Sequence, residues 1–241
     1  MALGESVGVD IQHPIAEERA DAEAVVVAVH GAHQVRSFAQ RLREGLHQRG
    51  VEVVRKLVRS LRDTGIDCLT LYAFSSENWK RPEDEVDHLM GLLRKFIKSD
   101  LPEFLENGVR LKIVGDYKAL APDIVDMIED ALDQTRNGSR TVTVALNYGS
   151  RQEIARAAAL AALDGDVTEA SIAKHLYTAD LPPLDLLIRT SGEVRLSNFL
   201  LWQAAYAELA FVDVLWPDFT PQHLHAALKD FGTRERRFGG R

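Results

Sequence analysis

The sequence contains one cysteine, only short apolar runs and no excess of basic residues. Cys68 has no second cysteine to pair with, which excludes an internal disulfide and a cysteine-based zinc site. Apolar runs such as residues 24–29 are much shorter than the roughly 20 residues that a membrane-spanning helix needs. A formal charge of −7 argues against a nucleic-acid-binding protein, which usually carries a basic surface. We therefore expect a soluble, cytoplasmic protein with no nucleic-acid partner.

The composition is that of a folded protein. Of the 241 residues, 46% are hydrophobic and 27% are charged, so the chain has enough apolar side chains for a core. Residues 1–22 show no apolar periodicity, and we expect a loose N-terminal tail there. Residues 23–241 are predicted to form one domain.

Short β-branched runs alternate with longer stretches of helical periodicity along this domain. The predicted strands are residues 24–29, 68–74, 109–115, 141–147, 184–189 and 210–214. Helix boundaries are predicted at Gly65, Pro82, Pro122, a capping box of Ser150 with Glu153, and Thr220 with Pro221. Repeated strand and helix predict an α/β single domain, with a mostly parallel six-stranded sheet flanked by helices.

Ligands of such sheets bind outside the carboxyl ends of the strands. Four unusually polar stretches directly follow apolar ones in the sequence. They are residues 30–36, 75–81, 147–151 and 189–197. We expect the functional site to be built from these stretches.

The stretch 189–197 combines two arginines, several hydroxyl groups and a glycine, before a predicted apolar helix at 199–209. Two guanidinium groups and the N–H groups of a helix N-terminus would bind a diphosphate. The alternative is that Arg189 and Arg195 are surface residues paired with Glu193 and Asp185.

Three further features have two interpretations each. Trp79 beside Arg81 would line a pocket for a ligand with apolar and anionic parts, or would cover the core as part of an ordinary loop. Glu208, at the end of the predicted helix, would bind a metal or, more commonly, pair with an arginine. The basic run at 234–241 is either a solvated end or a segment that reaches an anion site of its own or a neighbouring subunit.

Long motifs recur in a characteristic order. They are LTLYAFSSENW at 69–79, NYG at 147–149, DLLIRTSGE at 185–193, RLSNFLLW at 195–202, YAEL at 206–209, LWPDF at 215–219 and RERRFGG at 234–240. With these motifs the chain resembles the cis-prenyltransferase family of undecaprenyl and decaprenyl diphosphate synthases, from about residue 47 to the end.

The resemblance implies a homodimeric, Mg²⁺-dependent enzyme that adds isopentenyl diphosphate to an allylic diphosphate with Z geometry. It implies an apolar tunnel for the product between sheet and helices, and membrane contact at most through the lipid product. Small Ala73 favours a medium or long product. The positions that the resemblance assigns are Asn78 for proton transfer; Arg189, Arg195, Leu196 and Ser197 for isopentenyl diphosphate; Ser75, Ser76, Glu77, Trp79 and Arg81 for the substrate lining; Arg43 and His47 for the allylic diphosphate; and Glu208 for the metal.

The chain departs from the family pattern after its first strand. Where the family has an aspartate that organises Mg²⁺, this chain has His30 or His33, depending on the register. Imidazole is a poor substitute because Mg²⁺ prefers oxygen ligands. Losing one such group costs on the order of 10² to 10³ in rate.

Three explanations remain open for this departure. They are a working synthase in which a histidine takes over part of the task, a relative with a different allylic substrate or metal, and a non-catalytic partner subunit. A metal site of His30, His33 and His47 is a weaker alternative. A nucleotide-binding module is disfavoured because the sequence has no G-x-G-x-x-G motif and no P-loop.

Overall fold

Strands and helices alternate throughout the part of the chain that the structure describes. The structure is a computed structural model; it describes the backbone of residues 24–28 and 40–235 and the side chains of residues 49–235. The strands are Ala24–Ala28 (β1), Cys68–Ser75 (β2), Val109–Val114 (β3), Arg140–Tyr148 (β4), Leu186–Arg189 (β5) and Glu208–Phe211 (β6). The helices are Gln40–Thr64 (α1), Glu83–Glu106 (α2), Pro122–Thr135 (α3), Ser150–Asp164 (α4), Glu169–Lys174 (α5) and Pro221–Thr233 (α6). The predicted loose tail lies outside the described residues.

The six described strands form one parallel sheet in the order β3-β4-β2-β1-β5-β6. This confirms the predicted α/β class. The first strand pairs with β2 on one side and with β5 on the other. Because the strands are parallel, the carboxyl ends of β2, β4 and β5 lie at the same edge of the sheet.

The strands are largely buried, as in other parallel sheets, and apolar clusters lie on both faces of the sheet. On one face, α1, α2, α3 and α6 contribute residues such as Leu57, Met90, Ile124 and Leu224 to the larger apolar core. The other face carries a smaller cluster around Tyr72, Tyr148 and Phe199. Its rings are packed closely: Tyr72 stacks on Phe199 at 4.1 Å between ring centroids.

Several predicted helix boundaries are confirmed. Gly65 follows α1 with φ +72°, a left-handed conformation that glycine adopts without steric cost. Pro122 is the first residue of α3, and Pro221 is the first residue of α6. Within the described residues, no helix is both long and apolar enough to cross a bilayer.

The predicted capping box of Ser150 and Glu153 is wrong. The residue before α4 is Gly149, so the N-terminus of this helix has no side-chain cap. The Ser150 hydroxyl accepts a hydrogen bond from the Leu201 N–H at 2.9 Å. Glu153 is buried and accepts one from the Tyr148 hydroxyl at 2.5 Å instead. Tertiary contacts therefore use both side chains that the motif assigned to the helix end.

The predicted helix at 199–209 is also wrong. Ser197, Asn198 and Leu200 have φ of +51°, +61° and +44°, which an α-helix does not accommodate. Only a short 3₁₀ turn, Gln203–Tyr206, forms there before β6. The last strand consequently begins two residues earlier than predicted, at Glu208.

Ion pairs join α1 to α2 across their contact. Asp100 is 1% exposed, and Arg55 pairs with it through Nε and through Nη2, the latter at 3.0 Å from Oδ2. The side-chain hydrogen bond to Asp100 is the main reason why the pKa of Arg55 is raised. One turn further along, Arg59 pairs with Glu103 in the same way. These pairs fix the two helices against each other.

Candidate active site

Three of the four polar stretches meet at the carboxyl edge of the sheet, as predicted. Ser75 at the end of β2 pairs with Tyr148 at the end of β4. Arg189 ends β5 and pairs with Ala28 at the end of β1. The fourth stretch begins at His30 and, with His33, lies outside the described residues. The described part of the crevice is therefore formed by residues 75–81, 147–151 and 189–198.

Arg189 is the most unusual side chain at this edge. It is 0% exposed, and its Nε, Nη1 and Nη2 atoms have no hydrogen-bond partner among the described residues. Burial lowers the pKa of Arg189, while nearby Glu193 opposes this shift. A guanidinium stays protonated in proteins, so a buried positive charge without a hydrogen-bond partner is costly. Such a group is complementary to a bound anion.

Thr190 adds a second polar atom without a partner. Its Oγ1 is buried and makes no hydrogen bond within the described part of the chain. The N–H groups of Ser191 and Gly192 are already used, since they donate to Val214 O at 2.8 Å and Val212 O at 3.0 Å. The predicted helix after residue 197 does not form, so its N-terminal N–H groups are not present to bind a diphosphate. The polar groups left without partners here are therefore side-chain atoms of Arg189 and Thr190.

Arg195 differs from Arg189 in both exposure and pairing. Its side chain is mostly exposed and forms an ion pair with Glu193. The interpretation of surface arginines paired with acidic residues thus holds for Arg195 and not for Arg189. Leu196 packs against the Phe199 cluster, and Ser197 follows it in a left-handed conformation.

The segment after β2 begins at a bulge in the strand. The register between β2 and β4 shifts around Ala73, which is exposed although its strand neighbours are buried. Bulges redirect side chains at the edges of sheets. Ser75 is buried, and its N–H donates to Asn78 Oδ1 at 2.8 Å. This bond shapes the 3₁₀ turn Ser76–Lys80 and fixes the orientation of the Asn78 amide.

Trp79 lies near the end of this turn, and Arg81 directly follows it. The Trp79 ring packs edge-on against Phe74, with 5.0 Å between centroids, and 44% of the residue is exposed. Its Nε1 donates to Asn147 Oδ1 at 2.8 Å. Arg81 pairs with Glu85 at 2.6 Å in the first turn of α2. Trp79 therefore covers part of the core, as one interpretation of the sequence predicts, and keeps an exposed aromatic surface. Its role in lining a ligand pocket stays a prediction.

Hydrogen bonds at the start of α4 connect the turn after β2 with the loop after β5. Asn198 Nδ2 donates to Glu77 Oε1 at 2.8 Å and to Gln152 Oε1 at 3.2 Å. Gln152 Nε2 donates in turn to Ser76 Oγ at 3.1 Å. Sequence reasoning did not single out Asn198 or Gln152. The signal was the polar junction at 147–151, whose partners only the tertiary structure reveals.

Glu208 is not brought close to Arg189 within the chain. It is the first residue of β6, paired with Leu186, whereas Arg189 pairs with Phe211 three residues later. At roughly 3.3 Å per residue, this places the two residues about 10 Å apart along the strand direction. The Glu208 carboxylate accepts a hydrogen bond from Arg234 Nη1 at 2.8 Å. The predicted pairing with an arginine is thus confirmed, and the predicted position at the end of a helix is wrong.

The remaining predicted residues lie beyond the described side chains. Arg43 and His47 belong to α1, whose side chains are described only from residue 49 onwards. Of the basic C-terminal run, Arg234 and Glu235 are described, and residues 236–241 are not.

The fold and the crevice define a class of protein: a parallel α/β protein with a buried cationic group, hydroxyls and aromatic surface at the carboxyl edge of its sheet. This arrangement suits a ligand with a polyanionic head and an apolar body.

The prenyltransferase family model, described as "Putative undecaprenyl diphosphate synthase", matches residues 36–239. An isoprenyl transferase of Zymomonas mobilis is 50% identical over 203 residues, which is 80% of this chain and 82% of that protein. Isoprenyl transferase 2 of Bradyrhizobium diazoefficiens is 46% identical over 92% of both chains.

The chain is also similar to solved structures of diphosphate synthases. Lavandulyl diphosphate synthase from Lavandula x intermedia, in complex with dimethylallyl diphosphate, superposes with a TM-score of 0.84 at 31% identity, over 92% of this chain and all of that one. A "probable undecaprenyl diphosphate synthase" from Campylobacter jejuni has a TM-score of 0.78 at 33% identity, covering 91% and 99%. This chain belongs to the undecaprenyl diphosphate synthase family of isoprenyl transferases.

Proposed function

We propose that this protein elongates polyprenyl diphosphates by condensing isopentenyl diphosphate with an allylic diphosphate in Z geometry. The observation that carries the proposal is Arg189, buried with three guanidinium nitrogens that lack hydrogen-bond partners among the described residues. A diphosphate supplies the oxygens and the negative charge that such a group requires.

The proposed isopentenyl site is built around this arginine. Arg189 and Thr190 bind the diphosphate from the interior, and Arg195 binds it from the solvent side after releasing Glu193. Leu196 and Ser197 complete the site. An exposed ion pair such as Arg195 with Glu193 contributes only about 0 to 1 kcal/mol, so its exchange for a diphosphate contact is inexpensive.

The proposed chemistry occurs between this site and the segment Ser75 to Arg81. A carbon–carbon bond forms between the two substrates while the allylic carbon–oxygen bond breaks and inorganic diphosphate leaves. The isopentenyl unit then loses a proton, which is accepted by an oxygen of the departing inorganic diphosphate. Asn78 is the residue to which the family resemblance assigns the relay of this proton, and the hydrogen bond from the Ser75 N–H to its Oδ1, which holds the amide in a single orientation, supports this role.

The lining and the product channel follow from the same segment. Ser75, Ser76, Glu77, Trp79 and Arg81 line the substrates, and Arg43 and His47 hold the allylic diphosphate. The exposed Ala73 on an otherwise buried strand supports an open apolar passage between sheet and helices. A small side chain there suits a medium or long product.

Mg²⁺ is the cofactor that we propose for the reaction, with Glu208 as its carboxylate. Within residues 49–235, no group of three histidine, cysteine, aspartate or glutamate side chains is placed to hold a metal ion. Glu208 is engaged with Arg234 and lies toward the other end of β6 from Arg189. The described residues of one chain thus do not fit a resident Mg²⁺ beside Arg189, and we assign no step to the metal.

We further propose a cytoplasmic homodimer that meets membranes only through its lipid product. Several large apolar side chains between residues 194 and 215 are exposed, which supports a dimer surface here. They are Val194, Leu201, Tyr206, Phe211 and Leu215. Phe211 belongs to β6, which is an edge strand of the sheet among the described elements.

The test is incubation with isopentenyl diphosphate, farnesyl or geranyl diphosphate, and Mg²⁺. We expect a ladder of longer diphosphates and stoichiometric release of inorganic diphosphate. The absence of any elongated product with either starter would contradict the proposal.

A second candidate, a non-catalytic partner subunit, is favoured by the lack of a carboxylate at His30 and His33. If only this carboxylate is missing, His30→Asp or His33→Asp should raise the elongation rate in Mg²⁺ by about 10². Elongation that appears only when a second family member is added would favour the subunit role.

A further inference from the structure

A hydrogen-bonded network joins the loop that carries Arg195 to the turn that carries Asn78. Asn198 is its centre: Nδ2 donates to Glu77 Oε1 at 2.8 Å and to Gln152 Oε1 at 3.2 Å. Its Oδ1 accepts a hydrogen bond from the Arg151 N–H at 2.8 Å. All the hydrogen-bonding groups of this amide are therefore used within the protein.

The backbone around Asn198 depends on the same contacts. Ser197 and Asn198 both have positive φ, a conformation that non-glycine residues retain only when their surroundings fix it. The carbonyl of Asn198 accepts a hydrogen bond from the Ser150 N–H at 2.8 Å. The start of α4 thus holds the end of the loop in its left-handed conformation.

Gly149 shows how tightly the network is packed. A Cβ atom at this position would lie 2.3 Å from Gln152 Oε1, 2.6 Å from Ser76 Oγ and 2.8 Å from Asn198 Nδ2. All three distances are shorter than any normal contact of a Cβ atom. Any larger residue at position 149 would therefore displace the side-chain ends of Gln152, Ser76 and Asn198, which form the network.

We propose that Asn198 is a positioning residue that couples the diphosphate-binding loop to the turn Ser76–Lys80. The inference rests on the proposed function, and it assigns to Asn198 no contact with substrate. A diphosphate bound at Arg189 and Arg195 orders the loop, and Asn198 transmits this order to Glu77 and so to Asn78. Small displacements of reacting groups cost up to about 10² in rate, which gives the coupling its catalytic importance.

The first test needs no ligand. Asn198→Gly removes the side chain and retains a residue that tolerates positive φ. We expect hydrogen exchange in residues 75–81 to become about tenfold faster in this variant. The matched control is Asn107→Gly, which removes the bond from Asn107 Nδ2 to Glu103 O, 2.8 Å long, at the end of α2. The control should leave exchange at 75–81 unchanged.

Exchanging the donor and the acceptor between residues 198 and 77 tests whether this specific hydrogen bond, and not a general loss of rigidity, determines hydrogen exchange at 75–81. Asn198→Asp keeps the acceptor for Arg151 but loses both donors and places a second carboxylate beside Glu77. We expect hydrogen exchange at residues 75–81 to be as fast in this variant as in Asn198→Gly. Adding Glu77→Gln restores one hydrogen bond in the opposite direction and should recover most of the protection at 75–81.

The second test adds isopentenyl diphosphate. In the unmodified protein, the ligand should slow exchange both at 189–198 and at 75–81, whereas in Asn198→Gly it should slow exchange only at 189–198. The kcat of Asn198→Gly should fall about tenfold, with a smaller change in KM for isopentenyl diphosphate.

The two proposals fail differently. If the unmodified protein does not bind isopentenyl diphosphate, the proposed function is overturned, and the exchange of the free protein still decides whether Asn198 couples the segments. If Asn198→Gly leaves exchange at 75–81 unchanged in the free protein, the coupling is overturned even when the enzyme elongates substrate.

Discussion

Asp100 and Arg189 are two buried charged residues with opposite surroundings. Asp100, between α1 and α2, is bound by Arg55 through two nitrogens. Arg189, at the carboxyl end of β5, is equally buried, and none of its guanidinium nitrogens has a partner among the described residues. A paired buried charge serves the fold, while an unpaired one destabilises the protein until a ligand completes it. We infer from this difference that the Asp100 charge stabilises the fold, whereas the Arg189 charge belongs to the proposed diphosphate site.

The largest expected effect follows from removing the unpaired charge. Arg189→Met should lower the rate of elongation about 10³-fold, because the diphosphate loses several charge-assisted hydrogen bonds. The free energy of unfolding should stay the same or rise, because a buried charge without hydrogen-bond partners is replaced by an apolar side chain of similar length. Elongation assays and urea denaturation measure the two effects.

Arg195→Met is the matched control for this substitution. It removes an exposed arginine of the same loop, and it should reduce elongation less than Arg189→Met does, with stability within about 0.5 kcal/mol of the unmodified protein. A marked loss of stability in Arg189→Met would show that Arg189 is structural.

Removing the paired charge should have the opposite pattern. Asp100→Ala should lower the free energy of unfolding by about 2 kcal/mol, because it breaks the hydrogen bonds to Arg55, which keeps only its pair with Glu52 and a hydrogen bond to Ser99. The affinity for isopentenyl diphosphate should not change. An Asp100→Ala protein with full stability would contradict the structural role of the pair.

Ligand-linked stability sharpens the comparison. Inorganic diphosphate at ten times its Kd should stabilise the unmodified protein by about 1.4 kcal/mol, measured as a rise in Tm. The same concentration should leave the Tm of Arg189→Met unchanged, and Asp100→Ala should show the full rise from its lower starting value. Equal stabilisation of Arg189→Met would place the anion elsewhere.

The smallest effect concerns the tyrosines beneath the crevice. Burial raises the pKa of Tyr148 above its ordinary value, and burial likewise raises that of Tyr72. Above pH about 10 these side chains ionise in the unfolded chain and stay neutral in the folded protein, so stability present at lower pH is lost as pH rises. We expect about 1 kcal/mol per tyrosine at about pH 10.5. Tyr148→Phe should flatten this alkaline slope, as measured by denaturation between pH 8 and 11.

The sequence predicted the architecture well because its signals were local. Strand periodicity, Gly65 after α1 and the proline-initiated helices α3 and α6 each depend on a few neighbouring residues. The position of Arg189 at the crevice followed from the strand order of parallel sheets. The family motifs assigned roles to the same residues.

The errors arose where distant contacts determine the structure. The stretch 199–209 has a helical composition, but the contacts of Asn198 with α4 and Glu77 hold the preceding backbone in a left-handed conformation. Ser150 and Glu153 have the spacing of a capping box, but Leu201 and Tyr148 bind them instead. The burial of Arg189 without a hydrogen-bond partner among the described residues is also set by tertiary packing, which no local sequence pattern encodes.

Calorimetric titration of the folded protein with isopentenyl diphosphate tests the central claim most directly. We predict saturable binding that is lost in Arg189→Met and retained in Asp100→Ala. No heat of binding at millimolar isopentenyl diphosphate, or unchanged binding by Arg189→Met, would contradict the assignment of the buried guanidinium as a diphosphate receptor.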